Sequence, residues 1–190
     1  MPALHRLAGT LLLAACALAA APVLAREISG VQVPDRLQVA GKTLELNGAG
    51  LRKKFVVKVY VGALYLATAS KDPAAVIAAD APKSVRMAFV REVEKKQILG
   101  AFREGFENNS RDRLPSLLPK LALIEPVVPD AKPGTVLQVT YVPGQGTTVS
   151  VEGGGSVTVE GKDFADALFA NWLGEDPADG GLKEAMLGGS

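Results

Sequence analysis

The chain has 190 residues, is 48% hydrophobic, and carries 21 basic and 20 acidic side chains, which gives a formal net charge of +1. Its only histidine, His5, and its only cysteine, Cys16, lie near the N-terminus, so residues 26–190 exclude Ser-His-Asp and Cys-His catalysis, histidine or thiolate zinc sites and disulfides. Once Arg6 is set aside with that N-terminal stretch, 20 basic residues balance 20 acidic ones, which gives no indication of a nucleic-acid partner or an anionic membrane surface.

The first 25 residues have the pattern of a cleaved secretory signal peptide. A short basic start at His5 and Arg6 is followed by an uncharged Leu/Ala run from Leu7, and small residues end the stretch at Val23 and Ala25. An uncleaved anchor is one alternative, since roughly 19 uncharged residues just reach the length of a membrane span.

Lipid attachment at Cys16 is a second alternative, because residues 13–16 read Leu-Ala-Ala-Cys, as in a bacterial lipobox. The apolar run continues beyond Cys16, however, as it does in one longer signal. We therefore predict a signal peptide over residues 1–25 and one domain over residues 26–190, which is periplasmic or secreted after cleavage.

The first part of the domain alternates apolar and polar residues and therefore predicts strands. In chain order these are an edge strand at 27–33, a hairpin at 37–46 that turns at Ala40-Gly41, and a long strand at 55–67. Between the last two, Gly48 and Gly50 predict a tight turn that holds Arg52 against the mouth of a cleft.

The long strand has two different faces. Its alternation places Val57, Val59 and Val61 together on an apolar face, which we assign to the core. Tyr60 lies on the other, mixed face, which we assign to a cavity or to solvent.

A helix, a strand and a longer helix follow. Asp72 and the proline after it are an N-cap and a first-turn proline for a helix that ends near residue 80. A strand is predicted at 84–90. The helix at 94–109 is the clearest in the chain, because its apolar residues recur at helical spacing and form one stripe.

The rest of the chain predicts a short helix, a β-meander and two more helices. In chain order these are a helix at 117–124, strands at 135–142, 147–151 and 156–159, a helix at 163–173 capped by Asp163, and a helix at 182–187. The whole order indicates an α+β fold, with a mostly antiparallel sheet and helices packed on one face.

These segments resemble the chalcone isomerase fold family, and more closely its bacterial, exported, chalcone-isomerase-like branch. Residues 48–52 resemble the glycine turn of the family with its arginine, and residues 55–66 resemble the following strand that ends in G-x-x-Y-L. The helix at 94–109 contains the Glu-Asn of the family, and residues 168–174 and 182–183 resemble its C-terminal helix and continuation. The resemblance implies an open-faced β-sandwich, in which a large antiparallel sheet is covered by helices with a ligand cleft between them.

In the plant enzymes of that family, a chalcone closes to a flavanone without a cofactor, while an arginine orients and stabilises the anion. Arg52 corresponds to that arginine, and Tyr60 falls where the enzymes carry a threonine. The helix tyrosine of the enzymes falls at Ala101, so that hydroxyl is missing here. The alternative for Arg52 is a solvated turn charge, and the alternative for Tyr60 is an ordinary packing residue of the sheet.

Three asparagines complete the candidate ligand site. Asn108 corresponds to the asparagine of the Glu-Asn motif, whereas Asn109 lies nearer the centre of the apolar helix stripe, and the sequence does not choose between them. Asn171 falls where the enzymes have a polar threonine. Each of the three has a structural alternative, a frayed helix end for the pair and a hydrogen-bonded core amide for Asn171.

Because Arg52 is kept and the helix hydroxyl is lost, we predict a non-catalytic binder of a small amphipathic anion such as a fatty acid, in a cleft gated by Arg52. The family also includes non-catalytic fatty-acid binders. The first alternative is a cofactor-independent isomerase, an intramolecular lyase acting on a chalcone-like enone phenol. The second is a structural or partner-binding envelope protein. No cofactor, metal, nucleic-acid partner or stable membrane insertion after signal cleavage is predicted.

Overall fold

The structure is a computed structural model that describes residues 25–189. The predicted signal peptide, with His5 and Cys16, lies outside the described residues apart from its last position, Ala25. Within the described part of the chain, no helix combines the length and the hydropathy that a membrane span needs.

The described residues form nine strands, five α-helices and a short 3-10 helix at Arg111–Arg113. The strands are β1 (Ala25–Ile28), β2 (Val31–Pro34), β3 (Arg36–Val39), β4 (Lys42–Lys54), β5 (Val57–Leu66), β6 (Lys83–Phe89), β7 (Val136–Val142), β8 (Gly146–Val151) and β9 (Ser156–Val159). The helices are α1 (Pro73–Ala78), α2 (Lys95–Asn109), α3 (Leu114–Ile124), α4 (Lys162–Leu173) and α5 (Gly180–Met186).

Strands β3 to β9 form one seven-stranded antiparallel sheet in sequence order, and the larger core lies between this sheet and the helices. The α+β prediction with helices on one face is confirmed. The predicted hairpin turn at Ala40-Gly41 is also found, and both residues have positive φ angles, 47° and 76°. This is the backbone that a two-residue hairpin turn requires.

The predicted single edge strand at 27–33 is wrong. Ser29 and Gly30 turn the chain with φ angles of 49° and 80°, so β1 and β2 form a separate two-stranded hairpin. This hairpin packs on the second face of the large sheet, around Val33, Leu44 and Tyr65. The Tyr65 hydroxyl donates to the Pro34 carbonyl at 2.8 Å and fastens the hairpin there.

The predicted glycine turn is wrong as well, because Gly48 and Gly50 lie inside β4. Their lack of a side chain serves close packing. A Cβ on Gly48 would overlap the backbone oxygens of Ala185 and Met186, and one on Gly50 would overlap the Ala185 side chain. The two glycines therefore form the seat of α5 on the sheet.

The simple alternation predicted for the long strand fails at a β-bulge. Arg52 pairs with Tyr60 and the next residue of β4 pairs with Lys58, so Val59 is an extra residue on β5. As a result Val59 and Tyr60 both join the helix-side core, while Val61 joins the opposite one. The prediction that Val59 and Val61 share a face is wrong.

Of the two predicted helix N-caps, one is found in the structure and the other is not. Asp72 caps α1 as predicted, since its carboxylate accepts from the backbone N–H groups of Ala74 at 2.9 Å and Ala75 at 3.1 Å. The prediction that Asp163 caps α4 is wrong, because α4 begins one residue earlier. The Asp163 carboxylate accepts instead from Lys120 Nζ at 2.7 and 2.9 Å, which ties α3 to α4.

Candidate functional site

A largely apolar cavity lies between the sheet and helices α2 and α4. The space that it offers to the centres of water-sized molecules is about 50 Å³. Its apolar wall includes Val59, Met87, Phe89, Ile98 and Phe102. Polar groups reach it from Arg52, Tyr60, Gln97, Asn171 and Trp172. A cavity of this composition, apolar with a few polar groups, is typical of small-molecule sites.

Arg52 reaches the cavity from β4, beside the bulge at Val59 of β5. Its side chain is half-buried, and its Cζ lies 5.6 Å from the centroid of the Tyr60 ring, within cation–π range. The Arg52 Nε atom is buried and has no hydrogen-bond acceptor among the described residues. Because an unpaired buried N–H costs about 1–3 kcal/mol, this position favours an acceptor supplied from the cavity.

Tyr60 lies beside Arg52 and is buried. Its hydroxyl oxygen accepts a hydrogen bond from Trp172 Nε1 at 2.8 Å, and among the described residues no acceptor for the hydroxyl proton is found. Burial raises the pKa of Tyr60, and the nearby Arg52 charge offsets only part of this effect. Tyr60 is therefore a neutral phenol near pH 7, held by the indole and able to donate its own proton.

Asn171 lies on the same cavity wall, on α4. Its Nδ2 donates to the Phe102 carbonyl at 3.2 Å, whereas its Oδ1 is buried and has no donor among the described residues. The amide packs directly against Gly105 of α2, where a Cβ would overlap it. The prediction of a hydrogen-bonded core amide therefore describes only half of this side chain.

The structure does not bring Asn108 or Asn109 to this cavity. Asn108 is exposed near the end of α2. Asn109 donates to the carbonyls of Gly105 at 3.0 Å and Asp176 at 2.8 Å, and accepts from the Asp176 backbone N–H at 3.0 Å. These bonds hold the turn after α4 against α2, which is a structural role.

A wider, open cleft of about 560 Å³ on the same measure continues from the cavity toward the β4–β5 turn. The two share the wall residues Arg52, Val59, Val93, Gln97 and Ala101. Arg52 therefore lies where the inner cavity meets the outer cleft. Ala101, which the resemblance places at the tyrosine position of the enzymes, lines both spaces with a methyl group.

Sequence reasoning missed two parts of the site. Trp172 was not among the predicted site residues, and its hydrogen bond to Tyr60 joins residues 112 positions apart, which no local pattern reveals. Gln97 was not singled out. It forms a capping box with Glu94, whose backbone N–H donates to the Gln97 side chain at 3.0 Å. The usual sequence signal of a capping box begins with Ser, Thr, Asp or Asn, so Glu94 does not present it.

Comparison with known proteins agrees with this architecture. The model of the chalcone isomerase-like family matches residues 25–188. The crystal structure of a fatty-acid binding protein from Arabidopsis thaliana is similar at a TM-score of 0.65 and 19% identity, and the match covers 86% of this chain and 95% of that chain. At this identity the likeness shows a shared fold. No curated protein matches the chain.

Proposed function

The chain belongs to the chalcone isomerase-like family, and on that premise we propose that it is a non-catalytic binder of a small amphipathic anion such as a fatty acid. One observation carries the proposal. Two donors without a protein acceptor among the described residues, the Nε–H of Arg52 and the hydroxyl of Tyr60, lie on the wall of one apolar cavity. A carboxylate can accept from these donors, and an apolar chain would lie along the apolar walls of the cavity and of the outer cleft.

The charge of the site supports the same ligand class. A guanidinium offers several donors in a fixed plane and is matched to a carboxylate. The inner cavity is small, about 50 Å³ for the centres of water-sized molecules, so an acyl chain would extend past Arg52 into the outer cleft, which offers about 560 Å³ on the same measure. Arg52 lies at the junction with the outer cleft, and we propose that it gates the passage between the two. The Arabidopsis neighbour, which is described as a fatty-acid binding protein, is consistent with this ligand class.

Calorimetry with dodecanoate tests the proposal. We expect Arg52→Gln to weaken binding about tenfold to hundredfold, since it removes a hydrogen bond to a charged group worth about 1.5–3 kcal/mol. The control is Arg36→Gln, which removes an exposed guanidinium paired with Glu45 and leaves the cavity intact. Equal affinities for wild type and Arg52→Gln, or no binding by wild type, would overturn the proposal.

The second candidate is an isomerase that acts on a chalcone-like enone phenol. Arg52 favours it, because a guanidinium stabilises a phenolate as well as a carboxylate. Two residues argue against it: Ala101 supplies no hydroxyl, and the raised pKa of Tyr60 keeps that phenol protonated and unsuited to act as a base near pH 7. The loss of chalcone absorbance separates the candidates. A binder leaves the rate at its value without protein, whereas an isomerase accelerates it through Arg52.

The third candidate is a structural or partner-binding envelope protein with an empty or collapsed cleft, and a collapsed cleft gains no support from the two spaces that Arg52 lines. Export remains part of the proposal on the strength of the signal-like residues 1–25. The intact mass of the protein recovered from the periplasmic fraction tests it. A mass that corresponds to residues 26–190 agrees with signal cleavage, and a mass that corresponds to residues 1–190 contradicts it.

A further inference from the structure

The turn between β4 and β5 exposes two adjacent apolar side chains to solvent. Phe55 is 92% exposed and Val56 is 91% exposed, and Val57 beside them is 39% exposed. The backbone of Phe55 has a φ angle of 56°, a conformation that a hairpin turn normally gives to glycine, asparagine or aspartate. Neither packing within the described residues nor turn chemistry therefore accounts for a phenylalanine at this position.

Lysines flank this apolar tip. Lys53, Lys54 and Lys58 are all exposed, and none forms an ion pair among the described residues. Residues 53–58 contain no acidic side chain. One carboxylate lies beside the tip, that of Asp179, which accepts from the Lys53 backbone N–H at 2.8 Å, and Glu92 and Glu104 line the adjacent cleft. The overall charge of the chain is balanced, but the charge of the tip is positive.

We propose that residues 53–58 form a tip that docks reversibly on a lipid bilayer with anionic headgroups. Phe55 and Val56 enter the boundary between headgroups and acyl chains, and the three lysines lie at headgroup level. A protein partner is disfavoured by size. Two or three side chains on a convex turn offer on the order of a few hundred Å², whereas a stable protein interface needs about 800 Å² on each side.

The tip lies next to the opening of the candidate ligand cavity. Lys54, Phe55 and Val57 line the outer cleft, which opens from the inner cavity at Arg52. A bilayer that receives the tip therefore lies at the entrance to the candidate ligand site. Docking itself does not depend on the proposed function, because the residues that carry it are separate from Arg52 and Tyr60.

Sedimentation with vesicles tests the docking. The full-length chain is expressed, and wild type and variants are recovered in the same processed form, so that any contribution of the N-terminal residues is common to all of them. We expect binding to vesicles of equal parts phosphatidylglycerol and phosphatidylcholine, weaker binding to phosphatidylcholine alone, and weaker binding at high salt, because salt screens exposed charges.

Matched variants separate the tip from the rest of the surface. Phe55→Gly/Val56→Ser should weaken vesicle binding about tenfold or more while leaving thermal stability equal or higher, since glycine suits the positive φ. Leu123→Ser, a change at a 55% exposed leucine on α3, should leave binding unchanged. Lys53→Gln/Lys54→Gln should weaken binding about tenfold or more, whereas Lys42→Gln/Lys71→Gln, at the other end of β4 and β5, should not.

A fluorescent reporter reads the tip directly. In Val56→Trp, the emission should shift to the blue and be quenched by brominated lipid when anionic vesicles are added, while the buried Trp172 contributes a constant background. Unchanged emission, or equal vesicle binding by wild type and tip variants, overturns the proposal. A change of oligomeric state in Phe55→Gly/Val56→Ser without any vesicle effect would also overturn it and indicate a protein interface. Arg52→Gln should dock normally, so a failure of ligand binding is distinguished from a failure of docking.

Discussion

Arg52 and Tyr60 show how two residues of one hairpin acquire a property that neither has alone. The bulge at Val59 brings them opposite each other across β4 and β5. Trp172 Nε1 donates a hydrogen bond to the hydroxyl oxygen of Tyr60, so the hydroxyl proton is left for another acceptor. The guanidinium over the ring adds a positive charge to the same place. The pair therefore concentrates donors and charge on one wall of an apolar space.

Lys83 is a buried cation with a structural role. Its side chain is only 1% exposed, and its Nζ donates to the carbonyls of Val76 at 2.8 Å, Ile77 at 2.7 Å and Ala79 at 2.9 Å. These carbonyls lie at the C-terminal end of α1, where the helix leaves them without partners. The ammonium group also lies over the rings of Tyr141 and Phe169, at 5.4 and 5.3 Å.

Lys83 should make stability depend on pH above neutrality. Burial is the main reason that its pKa falls from 10.5 to about 8. Between these values the unfolded chain holds a proton that the folded chain has released, so the free energy of unfolding should rise with pH across this window. Below pH 8 both states hold the proton and the contribution is constant.

Urea denaturation at pH values on both sides of 8 checks this prediction against Lys83→Met. The variant should be less stable than wild type, because the α1 carbonyls lose their donor. It should also lack the rise in stability that wild type shows above pH 8. Parallel pH profiles for the two proteins would show that Lys83 is not the titrating group.

At the level of elements, α5 is held on the sheet by glycines that its packing requires. Gly48, Gly50 and Gly62 lie along β4 and β5 under this helix, and Asn47 donates to the Met186 carbonyl at 2.8 Å. At the other end, Asp179 caps α5 and also accepts from the Lys53 backbone N–H at 2.8 Å. Both ends of α5 are thus hydrogen-bonded to β4, the strand that carries Arg52.

Gly48→Ala should therefore detach or displace α5. The new methyl group meets backbone oxygens, which cannot rotate away, so we expect a loss of about 1–3 kcal/mol or more in the free energy of unfolding. Gly100→Ala is the matched control. That position on α2 has open space for a Cβ, and alanine should stabilise the helix by about 1 kcal/mol.

Chemical denaturation measures both variants, and hydrogen exchange of residues 180–186 reports on α5 itself. Faster exchange confined to α5 in Gly48→Ala agrees with the packing role of the glycine. If Gly48→Ala is as stable as wild type, the close approach of α5 to β4 is wrong.

The same elements show how far the sequence alone reaches. The α2 stripe, the Asp72 cap and the Ala40-Gly41 turn are determined by neighbours within a few residues, and all three were predicted correctly. Gly48 and Gly50 were assigned to a turn because the reason for them, α5, lies about 135 residues further along the chain. The bulge at Val59 was missed because alternation assumes an unbroken ladder.

The sequence located some residues of the candidate site and misplaced others. Arg52, Tyr60 and Asn171 were chosen through the family resemblance, and the structure places all three on one cavity wall. Asn108 and Asn109 were chosen by motif and helical wheel, neither of which reveals that the turn after α4 takes up Asn109. The contacts that the sequence did not reveal are those between residues far apart along the chain.

At the scale of the whole molecule, one strand pair connects three features. The β4–β5 hairpin carries the exposed apolar tip at one end, Arg52 and Tyr60 behind it, and the seat of α5 further along. The hairpin β1–β2 covers the opposite face of the sheet and takes no part in the cavity wall described above. The inner cavity thus meets the outer cleft on the side of the sheet where the tip lies.

The most direct test compares two ligands that differ only in the head group, dodecanoate and dodecanol, on wild type and Arg52→Gln by calorimetry. Wild type should prefer the carboxylate by about tenfold or more, because hydrogen bonds to a charged group contribute about 1.5–3 kcal/mol. Arg52→Gln should lose that preference while keeping its affinity for the alcohol. Equal preference in the two proteins, or a wild type that binds both ligands alike, would contradict an anion site at Arg52.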